Sequence, residues 1–291
     1  NPHLLPNITL PEEVCFTNDF QEIVAFSPEI IILATPSQFL RSTLQKTPVS
    51  LWNRPELLAV VNVAKGIEEN TLKTLDAVIK DELPFLEEHK ICALSGPSHA
   101  EEVARKIPTT VVIAGSDEDL LCYLQTVFSN SYFRVYRNLD LIGVEIGGAV
   151  KDIIAIAAGI IYGLDFGDNT IGALLTRGIV EIQRLGIALK ALPETFLGLS
   201  GIGDLITTAT SLHSRNRFVG VEIGKGRKLS DILAQMEMVA EGVTTTRSVY
   251  LLSRKLRIEM PIVEKVYQVL YEDKEPRKAI LELMTRELKA E

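Results

Sequence analysis

Few residues of this chain combine a reactive type with a setting for chemistry. Lys65 closes a β-branched run in VNVAKGIEEN, Lys151 stands alone inside VEIGGAVKDIIAIAAGIIYG (residues 144–163), and Asp204 follows a glycine-rich turn in GLSGIGDLITT. Ser95 to Ala100 read SGPSHA, and Ser214 to Arg217 read SRNR. A lysine at the carboxyl end of a strand in an open α/β sheet sits where ligands are met; a solvated loop lysine reads the same way. Gly96 lets the backbone approach a ligand or simply makes the turn. Ser98, with Glu101 three residues on, has the pattern of a capping box. Asp204 reads equally as an N-cap. Serine and two arginines at a helix start suit a phosphate, and they also suit an ordinary basic turn.

Lys151 has the most unusual surroundings. On a helix its neighbours three and four residues away are Gly147, Gly148, Ile154 and Ala155, with Ala158 and Gly159 a turn further on. Each interior glycine costs about 0.5–1 kcal/mol relative to alanine, so something must approach this strip closely. By spacing alone, tight helix packing with the lysine stem snorkelling to water accounts for it.

The elements that must hold these residues fall into two halves. VCFTN, IIILATPS, LLAVVNVAKG, ICALSG, TTVVIAG and FRVYRN (from Val14, Ile30, Leu57, Ile91, Thr109 and Phe133) read as strands. PSQFLRSTL, NTLKTLDAVIKDEL, HAEEVARKI and EDLLCYLQTVF between them have helical periodicity. Such alternation predicts a parallel sheet covered by helices. After Gly147 strand signals cease, and Pro261 and Pro276 fall where a first helical turn tolerates proline. Residues 239–246 read as a loop in which Glu241 is isolated. The expected organisation is therefore α/β, with a Rossmann-like sheet domain over 1–146, an all-helical domain over 147–291, and the cleft between them.

Composition narrows the function. Hydrophobic residues make up 46% and charged residues 23%, which excludes a disordered chain. The acids and lysine within residues 144–163 argue against a membrane span, and the opening NPHLLPNITLPEEV has no signal pattern. A net charge of −8 disfavours nucleic acid or anionic membrane as a partner. The three cysteines match no metal pattern, two of them lie in apolar surroundings, and no two of the four histidines have metal-ligand spacing. No metal is expected, and a reducing cytoplasm is.

Read in order, ATPSQ, NVAKGIE, LSGPSHAEEVA, FRVYRN, GVEIGGAVKDIIAIAAGI, DFGDNT, LLTRGIVEI, GLSGIGDLITT, SRNR, VAEGVTT and MPIVEKVYQVLY resemble the NAD(P)-dependent glycerol-3-phosphate dehydrogenases over nearly the whole chain. The resemblance implies hydride transfer between dihydroxyacetone phosphate and sn-glycerol 3-phosphate, feeding glycerophospholipid synthesis. It implies Lys151 as proton donor and acceptor at the substrate C2 oxygen, Lys65 touching substrate and cofactor, and Asp204 binding substrate and orienting Lys151. Gly96 and Ser98 would line the substrate pocket. Ser214, Arg215 and Asn216 would hold the phosphate, while Ala100, Arg215, Val239 and Glu241 would meet NAD or NADP. A homodimer is expected. A lysine serves best as acid–base catalyst when its pKa falls toward operating pH, and burial and Lys65 would both push Lys151 that way. On this reading the strip of small residues leaves room for nicotinamide and a three-carbon substrate.

Two departures stand out. The family's opening strand, GxGxxG turn and second strand have no counterpart here. The implied sheet is therefore N-terminally incomplete, with an unpaired inner edge on IIILATPS, and these 291 residues alone would bind dinucleotide weakly and turn over slowly. The residues that choose between NAD and NADP belong to the same unit. Asp152 stands where many members have asparagine; this extra acid would raise the Lys151 pKa unless it points elsewhere. The competing readings are a related two-domain hydroxyacid dehydrogenase, and a remnant kept for metabolite binding or oligomerisation.

Overall fold

A computed structural model describes residues 5–6, 8–288 and 290. Five strands, β1 (Ile30–Leu33), β2 (Ala59–Asn62), β3 (Ile91–Ser95), β4 (Thr109–Ala114) and β5 (Phe133–Asn138), form one sheet in sequence order. Helices α1 (Phe20–Phe26), α2 (Leu40–Leu44), α3 (Leu75–Glu82), α4 (Ala100–Ala104) and α5 (Glu118–Phe128) accompany it. The sheet is parallel except at one junction, where β3 and β4 run antiparallel with Leu94 opposite Ile113. Helix α4 is too short to carry the chain back across the sheet, so β4 returns beside β3 in the opposite sense.

The rest is helical, as expected. In order come α6 (Leu141–Gly163), α7 (Asp168–Ala188), α8 (Asp204–Thr210), α9 (Arg215–Gly224), α10 (Leu229–Leu233), α11 (Glu241–Leu256), α12 (Pro261–Tyr271) and α13 (Pro276–Met284). Both prolines sit in first turns. Three local expectations are corrected. Residues 14–18 form no strand: the Val14 amide turns back to the Pro11 carbonyl, and no described residue pairs with the far edge of β1. Only the second half of NTLKTLDAVIKDEL is helical, because Leu72 takes a left-handed conformation at φ 59°. The stretch 239–246 is a loop only up to Ala240, where α11 begins.

Helix α6 organises the molecule. Asp140 caps it through the Gly143 amide at 2.9 Å, and its other oxygen accepts from Leu192 N and Thr195 Oγ1 at 2.8 and 2.7 Å. Every residue from Gly143 to Ile161 is buried. Among the described residues no helix is long and apolar enough to cross a membrane. A division at 146/147 falls inside α6, which runs unbroken from Leu141.

Within the small-residue strip, Gly147 packs on the Ser200 backbone and Gly159 on another helix. Helices α6 and α9 cross backbone to backbone, Gly159 on Gly220 and Gly163 on Gly224. A Cβ at Gly220 would lie 2.1 Å from the Ile156 carbonyl oxygen, an atom that cannot move aside. Gly220→Ala is therefore expected to destabilise the protein by about 1–3 kcal/mol. Gly172→Ala in α7, where a Cβ meets nothing within 4 Å, should instead stabilise it by about 0.5–1 kcal/mol. Denaturant midpoints of the two variants check both signs.

Candidate active site

One cleft of about 410 Å³ lies between sheet and helices. From the sheet side come Lys65, in the loop after β2, and residues 98–101, after β3. From the helical side come Lys151 and Asp152 on α6, Asp204 and Thr208 on α8, residues 214–216 at the start of α9, and Val239 and Glu241 at the start of α11. Gly148 sets the approach of the two sides, since its Cβ would lie 2.6 Å from Ser95 Oγ and 3.5 Å from Lys65 Cγ. Without that Cβ the Lys65 stem passes over α6.

Asp204 bridges the two lysines. Lys65 Nζ lies 2.6 Å from Asp204 Oδ2, and Lys151 Nζ lies 3.1 Å from Oδ1. Lys151 Nζ also reaches Asp152 Oδ1 at 3.0 Å and donates to Thr208 Oγ1 at 2.7 Å. An ammonium has three protons, so all three are engaged. Thr208 in turn donates to Asp204 Oδ1 at 3.1 Å. Lys151 is 4% exposed and Asp204 2%, so the stem does not snorkel to water.

Electrostatics separates the two amines. Burial would lower the pKa of Lys151, but Asp152 and Asp204 together outweigh it and hold the group above the ordinary lysine value. This corrects the expected downward shift: Asp152 points at the amine, and its charge and that of Asp204 exceed the repulsion from Lys65. Lys65 shifts down, because burial and the charge of Lys151 outweigh its bond to Asp204. Burial would raise Asp204, yet the two ammonium groups keep it below the usual carboxylate value.

The remaining residues singled out above are placed as follows. Gly96, with φ +125°, is not among the residues lining the cleft, and its carbonyl accepts from Lys65 Nζ and Ser98 Oγ, both at 3.1 Å. Ser98 therefore does not cap α4, whose N-cap is His99. Ser214 does cap α9, accepting from Arg217 N at 3.1 Å. Arg215 donates to the Val239 carbonyl at 3.0 Å, Asn216 Oδ1 accepts from Gly242 N at 3.0 Å, and Glu241 accepts from Ser37 N at 2.7 Å. Burial raises the Glu241 pKa against that bond. Thr208 and His99 also line the cleft. Thr208 was legible as the residue one helical turn after Asp204; no local signal marks His99.

Comparison with known proteins places the chain in a family. Residues 1–121 match the model of the NAD-dependent glycerol-3-phosphate dehydrogenase N-terminus, and residues 140–281 that of its C-terminus. A glycerol-3-phosphate dehydrogenase [NAD(P)+] of Citrifermentans bemidjiense is 50% identical over 291 residues, all of this chain and 86% of that protein. The chain belongs to the NAD-dependent glycerol-3-phosphate dehydrogenase family. A glycerol-3-phosphate dehydrogenase [NAD(P)+] from Fusobacterium nucleatum is 46% identical, over all of this chain and 85% of that protein. The crystal structure of glycerol-3-phosphate dehydrogenase from Coxiella burnetii superposes with a TM-score of 0.92 at 34% identity, covering 98% of this chain and 86% of that one. The dehydrogenase resemblance and the sheet-then-helices architecture are thus both borne out.

Proposed function

We propose that this cleft interconverts dihydroxyacetone phosphate and sn-glycerol 3-phosphate with NAD or NADP, an activity that serves glycerophospholipid synthesis. The observation that carries the reading is the Lys65–Asp204–Lys151 bridge lining one cleft with the start of α9. Reduction of a ketone places negative charge on its oxygen, and the ammonium of Lys151 is the acid positioned to supply a proton there. Because every N–H of that ammonium is engaged, the substrate oxygen must displace one partner. Thr208 is the neutral acceptor and so the easiest to exchange, while Asp152 and Asp204 hold the amine by stronger charge-assisted bonds. Lys65 adds positive potential beside the developing oxyanion, and Asp204 keeps both amines in register.

The residues present also fit a nicotinamide dinucleotide. Ser37 lies just past the carboxyl end of β1, its amide bonded to Glu241, and its hydroxyl is buried without a partner. Lys65, Ala100, Arg215, Val239 and Glu241 line the cleft that holds Lys151 and would hold the cofactor. When bound, that cofactor supplies or accepts the hydride.

Ser214 caps a ten-residue helix that Arg215 and Asn216 open, where free N–H groups and a guanidinium suit a phosphate. Losing one charge-assisted contact of about 1.5–3 kcal/mol, Arg215→Ala should raise KM for dihydroxyacetone phosphate roughly 10- to 150-fold. At saturating cofactor, unphosphorylated dihydroxyacetone should be turned over poorly, and equally so by both proteins. Coupled oxidation of NADH or NADPH measures this; equal rates with and without the phosphate would defeat the reading.

Further proposals concern the setting. Three free cysteines, of which Cys92 is buried, Cys122 half-buried and Cys15 exposed, suit a reducing cytoplasm. A homodimer would bury exposed apolar side chains such as Leu139, Leu192 and Leu197. The proposed partition at 146/147 assigns Lys151 to the helical domain and Lys65 to the sheet domain.

A further inference from the structure

One polar atom in the cleft wall has no part in the chemistry above. His99 Nε2 is buried and has no hydrogen-bond partner among the described residues, although His99 lines the same cleft as Lys151, Asp204 and the start of α9. Buried polar atoms are normally paired, and one left unpaired beside a ligand site lacks its partner. The backbone of His99 serves as N-cap of α4, but its side chain makes no capping bond, so the helix does not explain the ring. His213, in the turn just before α9, faces it with ring centroids 6.0 Å apart.

The substrate has a matching vacancy. Dihydroxyacetone phosphate carries three polar groups: the phosphate, the C2 oxygen and the C1 hydroxyl. The first two are taken by the start of α9 and by Lys151. Building on the function proposed above, we propose that His99 Nε2 hydrogen-bonds the C1 hydroxyl and makes the enzyme specific for a hydroxymethyl ketone. Burial and the charge of Lys151 both hold the imidazole below its ordinary pKa, and so neutral. A neutral ring offers one donor and one acceptor, which complements a hydroxyl group.

The test compares dihydroxyacetone phosphate with acetol phosphate, in which a methyl replaces the hydroxymethyl group. It is run on the unsubstituted protein, His99→Phe and His99→Gln. His99→Phe should lower kcat/KM for dihydroxyacetone phosphate about 3- to 10-fold, the worth of one neutral hydrogen bond, and leave acetol phosphate within about twofold. His99→Gln, which retains hydrogen-bonding atoms, should recover part of the preference. An equal loss on both ketones, or an unchanged preference in both variants, overturns the assignment. With NADH or NADPH at saturating concentration, failure of the unsubstituted protein to reduce either ketone phosphate overturns the dehydrogenase reading and this one with it.

Discussion

Replacing Lys151 with alanine is expected to lower the rate of dihydroxyacetone phosphate reduction by about 10²–10⁴-fold, the usual contribution of a positioned acid. Cofactor affinity should change little, because the amine engages Asp152, Asp204 and Thr208, all on the helical side of the cleft. Lys151→Met keeps the stem but carries no proton, and should fall as far. The direction of the pKa shift adds a second signature. Held above the ordinary lysine value, Lys151 is an ammonium throughout neutral pH, so its protonation does not limit reduction. Oxidation of glycerol 3-phosphate needs the neutral amine, so its rate should climb as pH rises, and the climb should vanish in Lys151→Met. Initial rates in both directions across neutral and alkaline pH measure this. Undiminished reduction by either variant would remove Lys151 from the chemistry.

Asp204→Asn should be the most damaging single change to stability in the cleft. It removes the buried carboxylate shared by the half-buried Lys65 and the buried Lys151, at 2.6 and 3.1 Å. Breaking a buried ion pair from one side typically costs about 3–5 kcal/mol, since the remaining charge is left uncompensated. Lys65 would keep the Gly96 carbonyl and Lys151 would keep Asp152, so neither amine is wholly abandoned. The denaturant midpoint should therefore drop clearly, and activity should be lost as both amines leave their positions. Asp152→Asn is the comparison, because Asp152 pairs with Lys151 whereas Asp204 serves both lysines. It should cost less in stability and move the alkaline limb of oxidation to lower pH, the Lys151 pKa having lost a supporting charge. An Asp204→Asn protein as stable as its parent would show that the bridge does not hold the cleft together.

The cleft residues were legible to different degrees, for physical reasons. Ser214 could be read as a cap because capping is decided within one helical turn, and the structure keeps it. Ser98 carried an equally good local pattern and does not cap, because its hydroxyl finds the Gly96 carbonyl in the tight turn before it. Residues 14–18 have strand composition, but a strand needs a neighbour, and among the described residues none is present there. The antiparallel junction between β3 and β4 was equally hidden, since helical periodicity in HAEEVARKI does not say how far that helix will run.

What the amino-acid order determined by itself is whatever short-range chemistry and motif succession can specify. That includes the alternation of strands and helices, the long apolar helix bearing one lysine, the prolines opening α12 and α13, and the series of motifs that assigns the family. Tertiary structure decided everything that depends on distant charges and backbones meeting. It turned Asp152 toward Lys151, and so reversed the sign of that amine's pKa shift. It packed Gly159 against α9 and left His99 Nε2 buried beside the cleft with no partner among the described residues. A residue's neighbours along a helix are set by its pitch; its neighbours across a cleft are set only when separate elements pack.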